Sequence, residues 1–166
     1  MALVMLMRHG EAVNNVEHIL AGRELEFHLT ERGRMQVTEI AEKLKTIPLQ
    51  AIYTSPITRT VETSKIVSEK VGLDYSVDDR LIETDMGTLT GKSYGEVVGK
   101  YGNRIFQKFY EGDNDLQKEM GIESFSAIRS RVMNMLDYVA AKHPDENVLL
   151  VTHLDPVKAA MAETMG

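Results

Sequence analysis

The chain has 166 residues, 43% hydrophobic and 27% charged, a length and balance that fit one globular domain burying about two-thirds of its unfolded surface. It contains no cysteine, which excludes disulfides, thiolate metal sites and a cysteine nucleophile. The formal net charge is −6 with Lys and Arg scattered among Glu and Asp, which argues against a nucleic-acid surface and means that any anionic ligand needs a local basic cluster.

In chain order, the apolar run Leu3 to Met7 reads as a first strand; it is too short for a membrane span and lacks the basic leader of a signal peptide, so a cytoplasmic location is the default expectation. After Thr30, read as an N-cap, Val37, Ile40, Ala41 and Leu44 keep helical spacing until Pro48. Ala51 to Tyr53 is a second strand, followed by a helix with Pro56 at its first position and Gly72 at its end. Tyr75 to Val77 is a weaker third strand. The apolar residues between Ser93 and Tyr110 mark a helical excursion, and the polar run GDNDLQKEMG (112–121) reads as an exposed loop closing it. Phe125, Ile128, Val132, Met135, Leu136 and Val139 trace one face of a long helix ending before Pro144, and Val148 to Val151 is a last strand. Continuous rather than alternating strands that alternate with helices select an α/β fold with a mainly parallel sheet covered on both faces.

In open sheets of this kind ligands gather beyond the carboxyl ends of the strands. Arg8 and His9 stand at such an end in LMRHG, His153 in LLVTH, and Ser55 and Pro56 after AIYT. A phosphate ester at that edge calls for guanidinium forks, for which Arg8 and Arg59 are the candidates, and for backbone N–H groups at helix starts. A neutral imidazole held between cations is a competent nucleophile toward phosphorus, a role open to His9, with His153 donating to the transferring oxygens. The departing alkoxide needs a proton, and LIETDMGTLTG offers Glu83 and Asp85 as carboxyl donors. Asn15 is spaced to orient the imidazole or a phosphate oxygen. No metal or other cofactor is required where arginines supply the positive charge.

These segments together resemble the histidine phosphatase superfamily, the phosphoglycerate-mutase-like proteins. LMRHGEAVNN, LTERG, SPITRTVET, LIETDMGTLTG, GIES and VTH match its motifs in order over nearly the whole chain. The resemblance implies one domain over 1–166, a three-layer α/β/α sandwich with a helical cap excursion at about 93–121 over the active site. It implies that His9 becomes phosphorylated, that Glu83 rather than Asp85 is the proton donor, that His153 is the second catalytic histidine, and that Arg8 and Arg59 clamp the phosphate. The activity implied is a metal-independent phosphatase acting on small phosphomonoesters. A phosphomutase is the alternative within that chemistry, disfavoured because family mutases carry an additional insertion for which this chain lacks room. A phospho-ligand-binding protein without turnover is the alternative outside it.

Several positions depart from the family pattern. Leu154 follows the second histidine where glycine is common, removing the easy approach of backbone to phosphate, and it is counted among the substrate-contacting positions. Asp155 and Pro156 read as an N-cap and first helical residue, and Lys158 sits near the position of the usual arginine. Asp155 is a carboxylate close to a phosphate site, suited either to capping or to selecting a substrate with a hydroxyl or amine. Arg23 stands where an aromatic is frequent, and MAETMG ends where the family often continues into another strand, which leaves either a smaller sheet or an incomplete chain. His18 and His143 have no ligand spacing and read as ordinary polar residues, whereas His28 lies beside LTERG and is kept as a possible pocket residue. Phe106, Phe109 and Tyr110 read as a small helical core rather than a base-stacking platform. Neither the substrate nor the oligomeric state is legible.

Overall fold

In the computed structural model, which describes residues 3–112 and 114–165, the apolar runs become strands β1 (Val4–Arg8), β2 (Leu49–Thr54), β3 (Tyr75–Val77) and β4 (Asn147–Thr152). They form one sheet in the order β1-β4-β2-β3, and every pairing is parallel. The helices are α1 (Val13–Val16), α2 (Glu31–Leu44), α3 (Thr58–Val71), α4 (Tyr94–Tyr101), α5 (Arg104–Glu111), α6 (Asn114–Met120), α7 (Phe125–Lys142) and α8 (Leu154–Met165), with 3-10 turns at Asp79–Leu81 and Gly87–Leu89.

Successive strand residues face opposite sides of a sheet, and β4 uses both. Leu149 and Val151 join Val37, Ala41 and Val67 of α2 and α3 in one buried cluster. Val148 and Leu150 join Met135 and Val139 of α7 in another, which Ile128, Val132, Ala159 and Ala160 extend between α7 and α8. The result is the expected α/β/α sandwich. No helix among the described residues is long and apolar enough to cross a membrane.

Thr30 caps α2 as expected, its hydroxyl accepting the Gly33 N–H at 2.9 Å. Gly33 is required there for space: a Cβ would lie 2.0 Å from the Glu11 carbonyl oxygen, so only glycine lets the first turn of α2 lie on the loop after β1. Gly72, in the left-handed region, ends α3 as expected.

Three element boundaries differ from the sequence reading. α3 starts at Thr58, because Ile57 keeps an extended ψ of 138° that excludes Pro56 from the helix. The run 112–121, taken as an exposed loop, holds α6, with Asp113 outside the described residues; Leu116 and Met120 lie one turn apart and are buried with Leu89, Val97, Ile105 and Ile122. That apolar pair outweighs the polar residues around it. Finally, α8 starts at Leu154, so Asp155 and Pro156 lie inside its first turn instead of capping it. Asp155 is drawn instead to two hydroxyls, Thr84 and Tyr110.

Candidate active site

Strand order and register build the site. β4 lies between β1 and β2, with Arg8 opposite Thr152 and Thr54 opposite Val151. The ladder runs on past the strands: His9 N–H donates to Thr152 O and Ser55 N–H to Val151 O, each at 3.0 Å. His9, His153 and Ser55 therefore leave three adjacent strands side by side. The two imidazole centroids are 5.3 Å apart with the rings edge to face.

His9 is buried, and its Nδ1–H donates to its neighbour's carbonyl, Gly10 O, at 2.7 Å. A carbonyl only accepts, so the proton sits on Nδ1 and Nε2 carries the lone pair. Arg59 Nε–H points at that lone pair from 3.2 Å. Burial is the largest cause lowering the His9 pKa to about 3, with the charges of Arg59 and Arg8 adding to it and the Gly10 hydrogen bond opposing. The ring is neutral throughout the physiological range. Thr63 ties this loop to α3, accepting Gly10 N–H at 3.2 Å while donating to Arg59 O at 2.8 Å.

Arg59 is 2% exposed. Its Nη2 donates to Gly22 O at 3.1 Å, and its Nη1 is buried without a partner. Leaving such a donor unpaired costs roughly 1–3 kcal/mol, so the site is shaped for an acceptor it receives from outside. Arg8 lines the same cavity and makes no hydrogen bond or ion pair among the described residues.

His153 is fully buried, its Nε2 at 2.8 Å from Ser55 Oγ. Ser55 Oγ accepts Ile57 N–H at 3.4 Å and has a proton to donate to His153 Nε2, an arrangement in which the ring proton sits on Nδ1. That Nδ1 is the second buried donor without a partner, 3.8 Å from Glu83 Oε2. Burial and the charge of Arg59 hold His153 well below the usual histidine range.

Glu83 follows the turn Asp79–Leu81 and shows 15% of its side chain to solvent. Burial is the main cause raising its pKa to about 7, and the charge of Asp155 raises it further, against the Thr84 N–H and the two arginines. Of the two carboxyl candidates, Glu83 lines the cavity, while Asp85 accepts Gly87 N–H at 2.8 Å and serves a turn.

The cavity has a volume of about 390 Å³. Arg8, His9, Arg59 and Glu83 line one end, and the excursion supplies Tyr94, Phe106 and Tyr110 to the wall. Asn15 lines the cavity, but its Oδ1 accepts Ala12 N–H at 2.9 Å, so it braces the loop after β1 and is not bonded to the imidazole. Leu154 lines the cavity and is 38% exposed. His28 does not: it is exposed and pairs with Glu62 at 2.8 Å. His143 bonds Tyr53 and Glu146, away from the cavity. Arg23 turns to Glu123, which also holds Arg131 and the Asp85 N–H, so GIES braces the segment that carries Glu83. Phe106 and Phe109 pack with the excursion core and also face the cavity.

Sequence reasoning did not assign Thr63 or Thr84, and it placed Tyr110 in the helical core, whereas Tyr110 lies outside that cluster and bonds Asp155 at the cavity. Only the threonine in SPITRTVET carried a signal, as part of the motif; the other two are recognised by what they touch. Among the described residues no group of three or more His, Asp or Glu side chains is arranged to hold a metal ion. Two cations, the unpartnered Arg59 Nη1 and an uncharged imidazole surround one space, while His153 does not line it but lies buried with its Nδ1 3.8 Å from the lining Glu83; the arrangement suits a tetrahedral anion.

The family description "histidine phosphatase superfamily (branch 1)" matches residues 4–166. The 2,3-bisphosphoglycerate-dependent phosphoglycerate mutase of Thermoplasma acidophilum is 32% identical over 163 residues, 98% of this chain and 76% of the relative. Phosphoserine phosphatase 1 of Hydrogenobacter thermophilus is 31% identical over 166 residues, 100% and 77% of the two chains. Among solved structures, Bacillus stearothermophilus YhfR superposes with a TM-score of 0.88 at 30% identity, covering 99% of this chain and 80% of its own.

Proposed function

The chain belongs to the histidine phosphatase superfamily, and within it we propose a metal-independent phosphatase that hydrolyses small phosphomonoesters through a phosphohistidine on His9. The observation that carries this reading is the state of His9: its proton sits on Nδ1, its Nε2 lone pair accepts only from Arg59 Nε–H, and Nη1 of that same guanidinium is buried without a partner.

In the first step His9 Nε2 attacks phosphorus and the ester P–O bond breaks. Arg8, Arg59 Nη1 and His153 Nδ1–H take up the charge on the transferring oxygens, the places where their free donors are. The alkoxide leaves with the proton of Glu83. In the second step water attacks the phosphohistidine, Glu83 takes a proton from it, the P–N bond breaks and inorganic phosphate departs, restoring the neutral imidazole and the protonated carboxyl.

Relatives of similar identity are named as a mutase and as a phosphatase, and the cavity favours hydrolysis. Its cationic lining residues are Arg8, Arg59 and Lys158, and the first two serve the reacting phosphoryl group. That leaves Lys158 alone, bound to Tyr110, where a mutase must hold a second phosphoryl group and a carboxylate.

The test is release of inorganic phosphate from a panel of phosphoesters without added metal, together with trapping of acid-labile phosphate on the protein. His9→Ala is expected to lose both. Interconversion of phosphoglycerates at a rate comparable to hydrolysis would establish the mutase, and phosphate binding without turnover the non-catalytic alternative.

A further inference from the structure

The cavity lining carries a charged group that the proposed reaction does not use. Asp155, in the first turn of α8, lines the cavity with Tyr110 of α5. Its Oδ2 accepts the Thr84 hydroxyl at 3.0 Å and its Oδ1 the Tyr110 hydroxyl at 2.8 Å. Both oxygens are thus held, one from the segment bearing Glu83 and one from the excursion. Yet among the described residues no cation pairs with it: Lys158 donates to the Tyr110 hydroxyl at 2.8 Å and lies 4.3 Å from the ring centroid. Much of the remaining lining is apolar, with Leu20, Met86, Ile105, Phe106 and Ile122 among its residues.

We propose that Asp155 is a specificity-determining residue whose fixed carboxylate excludes phosphoesters bearing a further negative charge on the alcohol, so that this site takes phosphomonoesters of uncharged, largely apolar alcohols. The inference rests on the hydrolase reading and narrows its substrate class. Asp155 acts through its charge, held in place by one hydroxyl on each oxygen. An alcohol that carries a carboxylate would have to be desolvated among apolar side chains and placed near a second carboxylate, where the low dielectric magnifies repulsion. An aryl or alkyl group meets no such cost, and gains from burial against Phe106 and its neighbours. Asp155 Oδ2 is bonded to Thr84, the residue next to Glu83, so its charge lies close to the group that would protonate the leaving oxygen.

The experiment compares 2-phenylethyl phosphate with 3-phosphoglycerate, both esters of unactivated alcohols. The native protein is expected to favour the uncharged ester by at least about tenfold in kcat/KM, from the field of one unpaired carboxylate in a partly buried site. In both Asp155→Asn and Asp155→Ser, with folding checked by circular dichroism, that preference should shrink at least about fivefold, mainly through KM for the phosphoglycerate. Any altered proton affinity at Glu83 affects both esters alike and cancels in the ratio. A preference for 3-phosphoglycerate in the native protein, or a ratio that neither variant moves, overturns the inference. Absence of phosphate release from either ester would instead defeat the hydrolase reading. The selectivity remains measurable in that case by calorimetry in the His9→Ala background, where the two dissociation constants should show the same preference and the same loss with Asp155→Asn; equal dissociation constants overturn the inference there too.

Discussion

Replacing Glu83 by Gln probes the site most directly, because it keeps the shape of the side chain and removes its proton. The carboxyl is held near a pKa of about 7 by burial and by Asp155, so about half of the molecules carry the required proton at neutral pH. General-acid assistance contributes typically 10²–10⁴-fold, so Glu83→Gln should lose roughly that much on an alkyl phosphate, whose alkoxide departs poorly unprotonated. On a nitrophenyl phosphate the loss in the first step should be far smaller, since that leaving group needs no proton. For the native protein the sign of the pH effect is fixed: the acid form is the active one, so kcat/KM for the alkyl ester falls as pH rises through about 7, and the Gln variant lacks that limb. Stability follows the same group. A carboxyl whose folded pKa is raised stabilises fully below its unfolded value near 4.5 and loses that contribution as pH rises through about 7. Between pH 4 and 8.5 the Gln variant should therefore gain about 3 kcal/mol relative to the native chain in urea unfolding. Unchanged turnover of the alkyl ester, or persistence of the alkaline limb in the variant, would refute the assignment.

Arg59→Lys should lower kcat/KM by roughly 10²–10³-fold in steady-state assays, because a lysine cannot donate to Gly22 O and to the phosphoryl oxygens with one rigid fork. His9 titrates in the opposite sense to Glu83: its folded pKa of about 3 gives stability present above the unfolded value of 6.5 and lost as pH falls toward 3, so His9→Asn should resist acid by about 3 kcal/mol at pH 4 in denaturant titrations compared with the native chain. Gly33→Ala should be destabilised by about 2 kcal/mol or more and lower the melting temperature by several degrees, since its Cβ would meet a backbone oxygen at 2.0 Å.

The sandwich was legible because buried parallel strands are continuous apolar runs, and β4 shows why: Val148 and Leu150 face one helical layer while Leu149 and Val151 face the other, so no position is free to be polar. The site residues were legible as residues at strand ends, but their meeting was not. It depends on β4 lying between β1 and β2, a strand order that the residues themselves do not state. α6 was missed because a helix held by Leu116 and Met120 alone has too little periodicity to stand out from its polar neighbours. Asp155 was misplaced for a related reason: its sequence context reads as a cap, and the hydroxyls that claim it lie 71 and 45 residues away in the chain. Thr63 and Asn15 have the same character, since bracing the loop after β1 is a property of contacts rather than of spacing.

The net charge of −6 opposes an anion site at long range, and the geometry resolves the conflict. Attraction over long distance is screened within about 10 Å at ordinary ionic strength, so what matters is the field inside the cavity. Among its lining residues Arg8, Arg59 and Lys158 face Glu83 and Asp155, and a proton on Glu83 removes one of those negative charges in the state that would begin the proposed reaction. The two guanidinium groups proposed to hold the phosphate also add to burial, the larger cause, in keeping His9 uncharged. A histidine that accepted a proton instead would gain attraction for the anion and lose its lone pair. Placing the positive charge on arginines, which hold their protons, separates binding from nucleophilicity and lets both operate at one pH.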